Sequence, residues 1–144
     1  MINFVLMEFV YTYKTIHNFA KKITPLLKYK LVFVEGELGS GKTTLIKQFC
    51  KELGFKNQVT SPTFPLLNIY KNNEKNIYHA DLYRLKNIDE INDLGFYEVI
   101  ESNNWFFVEW PELLYGVIDF PYTKIKIKNV DDISRIVTLT YNEF

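Results

Sequence analysis

Apolar positions along the chain fall into two kinds of run. Leu31-Val32-Phe33-Val34 and Trp105-Phe106-Phe107-Val108 are short and unbroken, and each is followed by an acid, Glu35 and Glu109. Unbroken apolar stretches of this length read as strands buried on both faces. Elsewhere the spacing is helical. Ile16, Phe19, Ala20 and Ile23 form one stripe, with Thr12 or Thr15 suited to cap it and Pro25 placed to end it. Leu45, Ile46, Phe49, Cys50 and Leu53 form another, followed by Gly54 at the expected C-terminal cap.

The remaining elements follow from alternation and turn residues. Glu8 to Tyr11 reads as a first strand. Leu66 to Tyr70 and Asn76 to His79 read as strands joined by the polar turn Lys71-Asn72-Asn73-Glu74-Lys75, hence an antiparallel hairpin. Asp89 suits the cap of a helix running through Ile100, with Ile91, Leu94 and Val99 inward and Gly95 as an interruption. Lys124-Ile125-Lys126-Ile127-Lys128 alternates cleanly, as an edge strand with a lysine-guarded face would. Ile136 to Leu139 closes the chain as a last strand. The sum is one α/β domain over residues 1–144, a mixed, mostly parallel sheet with antiparallel hairpin strands, flanked by helices.

Bulk properties narrow the function classes. Seventeen basic and seventeen acidic residues cancel, which disfavours a non-specific DNA or membrane-surface binder. The first residues are apolar, but the run is short, lacks a basic leader and is interrupted by Glu8, so a cytoplasmic protein is expected. The single cysteine, Cys50, lies on a helical apolar stripe and reads as a small core residue.

Candidate chemistry concentrates between the first continuous strand and the helix after it. Gly36-Glu37-Leu38-Gly39-Ser40-Gly41-Lys42-Thr43 fits G-x-x-x-x-G-K-[ST], and strand, glycine loop and helix are the context this pattern requires. Glycines allow a tight turn whose N–H groups converge on an anion, beside the positive end of the helix at Thr43 and Thr44. Lys42 then reaches the β- and γ-phosphates of a nucleoside triphosphate, and the Thr43 hydroxyl ligates Mg²⁺. The expected fold is that of P-loop nucleotide hydrolases.

Such a loop needs an acid on the metal side, supplied from the carboxyl end of a neighbouring strand. Glu109 fits that place, and Mg²⁺ is the cation expected to offset its burial. His79-Ala80-Asp81-Leu82-Tyr83-Arg84 is dense in polar groups. Asp81 can hold an attacking water and Arg84 can neutralise phosphate charge. Equally, Asp81 and Arg84 form a local salt bridge and His79 is a hydrogen-bonded core group. Only Arg84 and Arg135 carry guanidinium groups, few for a small-molecule kinase.

Taken together, GELGSGKTT (Gly36 to Thr44), SPTF (Ser61 to Phe64), HADLYRL (His79 to Leu85) and EWPE (Glu109 to Glu112) resemble the TsaE (YjeE) family in order and spacing. The resemblance covers essentially the whole chain. It implies a P-loop ATPase with ATP and Mg²⁺ as cofactors, hydrolysing slowly in complex with the proteins TsaB and TsaD. In that complex TsaD transfers the threonylcarbamoyl group to adenosine 37 of tRNA, which this chain meets only indirectly. It further implies that Leu38 to Thr43 (Leu38, Gly39, Ser40, Gly41, Lys42, Thr43) wrap the phosphates, with Thr43 and Glu109 as metal ligands; Gly36 and Thr44, at the two ends of the loop, are further nucleotide-binding candidates. Thr63 resembles the switch threonine, Asp81 the second essential acid and Trp110 the tryptophan that supports activity. By the same analogy the nucleotide base is contacted near Thr12; Arg135, one of only two arginines, is a separate nucleotide-binding candidate.

Two other readings are compatible with the residues. In one, the chain is a nucleotide-dependent binding module whose turnover is incidental. In the other it is a small-molecule kinase, against which the missing lid and few arginines count.

Overall fold

The two continuous apolar runs lie side by side at the centre of one sheet. In the computed structural model, which describes residues 2–55, 59–60, 67–73 and 75–143, they are strands β2 (Leu31–Glu35) and β6 (Trp105–Glu109). The other strands are β1 (Ile2–Thr12), β3 (Val59–Thr60), β4 (Leu67–Asn72), β5 (Lys75–Asp81), β7 (Tyr122–Asn129) and β8 (Ser134–Glu143). Helices are α1 (Ile16–Ile23), α2 (Lys42–Glu52), α3 (Ile88–Asn92) and α4 (Phe96–Glu101). The sheet order is β1-β8-β7-β2-β6-β5-β4-β3.

Parallel pairing is confined to the centre, where β2 joins β6 and β7, and β6 joins β5. The outer pairs are all antiparallel, β1 with β8, β8 with β7, β5 with β4 and β4 with β3. The mixed sheet flanked by helices is as expected. Its antiparallel share is larger than the sequence suggested, because β8 returns beside β7 and β1 then adds along its length.

Unbroken apolar character has a direct cause here. Val32, Val34 and Phe107 face a core built with α1 and α2, including Phe19, Ile23, Leu45, Ile46 and Phe49. Leu31, Phe33, Phe106 and Val108 face a second core with Ile91, Phe96, Val99 and Leu114. A strand covered on both faces has no position to spare for polar residues.

Three expectations are corrected. The lysine-alternating strand β7 is internal, lying between β2 and β8. Its isoleucines Ile125 and Ile127 enter the core, while Lys124 on the other face pairs with Glu35 at 3.1 Å. Alternation reports one uncovered face, which an internal strand can have as well as an edge strand. Second, the helix expected from Asp89 to Ile100 is two short helices. Gly95 adopts φ +69° at the break, and the cap is Asn87, whose side-chain oxygen accepts from the Glu90 N–H at 3.2 Å. Third, β1 begins at Ile2 rather than Glu8, held in place by β8.

Other local features agree. Helix α2 ends with the Gly54 N–H on the Lys51 carbonyl and the Phe55 N–H on the Cys50 carbonyl, the double bond pattern of a glycine-terminated helix. Pro25 sits in a 3₁₀ turn, Thr24–Leu26, that stops α1. Thr15 flanks α1 without capping it, because its hydroxyl accepts from the Thr12 N–H at 2.9 Å instead. Among the described residues no helix is long and apolar enough to cross a membrane.

Candidate functional site

The glycine loop lies between the end of β2 and the start of α2, at the carboxyl edge of the parallel strands. Gly39 and Gly41 adopt φ +77° and +94°, with open space where a Cβ would stand. At these two positions the backbone conformation, not crowding, requires glycine. Gly36 is required for the opposite reason. A Cβ there would lie 2.5 Å from the Ser40 Oγ and 3.0 Å from the Ile127 carbonyl oxygen. The loop is thus pressed down on the end of β7.

Lys42, only 5% exposed, lies across the loop. Its Nζ donates to the carbonyls of Gly36 at 2.7 Å and Glu37 at 3.0 Å and stands 4.3 Å from the centre of the Trp110 ring. Burial lowers its pKa, while the charges of Glu109, Asp81 and Glu112 draw it back up. An anion arriving in the loop would favour the charged ammonium.

Glu109 is 4% exposed, so it is no solvated strand end. Val34 of β2 lies opposite it in the register, one residue before that strand ends, and Asp81 lies opposite it on β5. The Thr43 hydroxyl approaches both carboxylate oxygens, at 3.0 and 2.8 Å. His79 Nε2 lies 2.6 Å from Oε2, and His79 Nδ1 lies 2.9 Å from the Tyr70 hydroxyl. Burial pushes the Glu109 carboxyl up, but the His79 hydrogen bond, any charge on His79, the Thr43 hydrogen bond and the nearby Lys42 charge outweigh it, and the net pKa is lowered. Glu109 is therefore a buried carboxylate held ionised.

Asp81 is exposed. Its Oδ1 accepts from the Tyr83 N–H at 3.0 Å, and the salt bridge to Arg84 that the sequence also allowed is not among the ion pairs of the described residues. Trp110 follows Glu109 with φ +56°, an unusual backbone for a bulky residue. That bend carries the indole over Lys42 and within 4.8 Å of the Tyr83 ring centre.

These side chains surround one cavity of about 290 Å³, lined by Leu38, Gly39, Gly41, Lys42, Thr43, Thr44, Asp81, Tyr83, Glu109 and Trp110. A larger hollow of about 430 Å³ lies beyond Trp110, between Glu35, Glu112 and Lys126. The smaller one is the candidate site, since both acids, the lysine and the start of α2 converge there.

Other expected residues stand differently. Arg135 is buried behind the loop, where its Nε donates to the Ser40 carbonyl at 3.1 Å and Nη2 to the Tyr13 hydroxyl at 2.7 Å. Its Nη1 is taken up by the Asp131 and Ser134 carbonyls. Thr12 is tied to Thr15 at the end of β1 and does not line the cavity. Neither does Arg84. Thr63, with the rest of Ser61 to Phe64, lies outside the described residues.

Among the described residues no group of three or more His, Cys, Asp or Glu side chains is arranged to hold a metal alone. Thr43 and Glu109 offer adjacent hydroxyl and carboxylate oxygens, the donor set of a hard cation that completes its shell with water and phosphate. The residues fit Mg²⁺ brought in with a nucleotide. Sequence reasoning missed the link from Tyr70 through His79 to Glu109. Its only signal was a histidine two residues ahead of Asp81, on a strand expected to be buried.

A family model described as "Threonylcarbamoyl adenosine biosynthesis protein TsaE" matches residues 10–137. A relative from Rickettsia typhi, named tRNA threonylcarbamoyladenosine biosynthesis protein TsaE, is 38% identical over 136 residues, 91% of this chain and 92% of its own. One of the same name from Bacillus subtilis is 37% identical over 107 residues, covering 74% of this chain and 66% of its own. The crystal structure of the Bacillus subtilis protein YdiB superposes with a TM-score of 0.67 at 25% identity, over 95% of this chain and 87% of that one.

Proposed function

The chain belongs to the TsaE family, and from that membership and the site's geometry we propose that it serves tRNA threonylcarbamoyladenosine synthesis as a Mg²⁺-dependent ATPase. In this reading it acts on a complex of TsaB and TsaD and meets tRNA only through them. The observation that carries it is the meeting of Lys42, Thr43, Glu109 and Asp81 around one cavity at the start of α2.

The division of labour follows from environment. The loop N–H groups and the end of α2 bind the phosphates. Lys42, poised by the Gly36 and Glu37 carbonyls, adds a full charge. Thr43 and Glu109 would hold the Mg²⁺, which would supply positive charge against the phosphates. Asp81, exposed at the mouth, orients the attacking water, and Trp110 shields Lys42 from solvent. Positioning and electrostatics supply most of phosphoryl-transfer catalysis, and the site is built of both.

The test is calorimetric titration of ATP into the wild type and Lys42→Ala, followed by turnover with TsaB, TsaD and tRNA present. Charge-assisted hydrogen bonds contribute about 1.5–3 kcal/mol, so the variant should bind about 10- to 150-fold more weakly. Unchanged affinity would overturn the reading of the loop. Binding without repeated turnover by the complete complex would favour a nucleotide-dependent binding module.

A further inference from the structure

The candidate cation ligand is the third member of a polar line that crosses the sheet. Tyr70 on β4 lies opposite Ile77, and His79 on β5 lies opposite Asn68. Tyr70 and His79 are thus diagonal neighbours on one face. On the next strand pair His79 lies opposite Phe107 and Asp81 opposite Glu109, so His79 and Glu109 are diagonal in turn. The line climbs from the hairpin toward the start of α2 and ends at the Thr43 hydroxyl. Its links measure 2.9 Å from Tyr70 to His79, 2.6 Å from His79 to Glu109 and 2.8 Å from Glu109 to Thr43. Tyr70, His79 and Glu109 are 2%, 4% and 4% exposed, so water does not replace these partners.

Donor and acceptor counting fixes the protons. An ionised carboxylate only accepts, so His79 Nε2 carries a hydrogen. Tyr70 then donates to Nδ1 and Nε2–H donates to Glu109, an arrangement that gives each of the three groups a partner among the described residues. Burial raises the Tyr70 hydroxyl to about 12, which keeps it a donor.

We propose that Tyr70 and His79 are positioning residues for Glu109: the tyrosine hydroxyl holds the imidazole ring in place through Nδ1, and the imidazole Nε2–H in turn fixes the carboxylate toward Thr43 and the cation subsite. The proposal rests on the reading of that subsite given above. Outer partners of this kind orient ligands and tune their basicity. The arrangement differs from a histidine acting on substrate, because His79 does not line the cavity.

Two measurements on the full chain test it. Long-range proton–nitrogen NMR on ¹⁵N-histidine-labelled protein reads the tautomer without nucleotide. His79 should carry its hydrogen on Nε2 in the wild type, and in Tyr70→Phe, which changes one oxygen and keeps the ring, the Nδ1 resonance should move as its hydrogen bond is lost. Calorimetry with ATP, in excess Mg²⁺ and in chelator, then gives the metal-dependent gain in affinity. Tyr70→Phe should lower that gain about 2- to 10-fold, the share of one neutral hydrogen bond. His79→Leu should lower it about 10- to 100-fold. His79→Gln retains an N–H donor and should recover part of the loss. Affinity in chelator should not change in any of them. A wild-type Nδ1–H form with Nε2 bare overturns the proposal, as does a metal-dependent gain that survives Tyr70→Phe and His79→Gln undiminished. If the wild type shows no metal-dependent gain at all, the reading of the subsite fails first, and the proposal with it.

Discussion

The ends of β5 and β6 are neighbours at the same height of the sheet, and each ends in an acid. Asp81 and Glu109 are partners in the strand register, and both line the same cavity. Their surroundings are opposite. Glu109 points into the layer beneath α2 and is held by His79 and Thr43. Asp81 is exposed, and among the described residues its side chain bonds the turn that follows it, through the Tyr83 N–H. Pairing places two carboxylates together, and burial then separates their uses. A carboxylate fixed from behind suits a metal ligand, whereas a solvated one at the mouth suits water. The chain downstream differs as well. After β6, Trp110 turns back over Lys42 through a left-handed backbone. After β5, Leu82 bonds the Glu109 carbonyl at 3.1 Å, extending the ladder one residue beyond Asp81.

The sharpest way to break this contrast is to remove one charge at a time. Asp81→Asn should leave Mg²⁺-ATP affinity within about twofold and stability within about 0.5 kcal/mol, as for surface substitutions generally. Turnover with partner proteins present should fall about 100- to 1,000-fold, the usual cost of losing one preorganised electrostatic group at a reacting centre. Calorimetry and single-turnover phosphate release measure the two halves. Lost binding with retained chemistry would reverse the assignment.

Glu109→Gln should act on binding first. The amide keeps the shape but removes the charge facing the cation and turns an N–H₂ toward either His79 or Thr43. Mg²⁺-dependent affinity for ATP should drop about 10- to 150-fold, matching about 1.5–3 kcal/mol for a charged partner. Affinity in chelator should hold. If Glu109→Gln kept the metal dependence and Asp81→Asn lost it, the two strand ends would have exchanged roles.

Local features of this site were legible in the amino-acid order because they are set by neighbours in sequence. The loop from Gly36 to Thr43 needs only the strand before it and the helix after it. Glu109 needs only to end an apolar run. What escaped depends on register between distant segments. His79 meets Glu109 because residue 79 pairs with 107, which no periodicity within either strand encodes. The lysines of β7 looked like an edge because alternation reports a face and not a neighbour, and β8 closes over that flank only in the folded sheet. Arg135 was noticed for its scarcity, while its actual task, bonding the Ser40 carbonyl from behind, follows from the register of β7 and β8. The broken helix is a milder case. Gly95 gave warning, but Asn87 and Asp89 are both good caps, and only the β-region backbone at Asn87 (φ −147°, ψ 164°) decides between them.

The smallest effect comes from pH and sharpens the picture of Glu109 alone. An ordinary glutamate protonates near 4.5, and in the folded protein this carboxyl protonates lower. Between those two values the unfolded chain binds the proton and the native chain does not, so stability falls as pH falls. Above 4.5 the full contribution is present. It drains away as pH drops through the folded value. Other carboxylates also shape the acid limb, so the informative quantity is the wild type minus Glu109→Gln. That difference, from urea unfolding at a series of pH values, should be flat at about 1–3 kcal/mol above roughly pH 5.5 and shrink below it. A difference that grows toward acid would mean that burial outweighs the hydrogen bonds. Glu109 would then be a carboxyl that prefers its proton, unsuited to greet a cation, and the contrast with Asp81 would have to be drawn the other way.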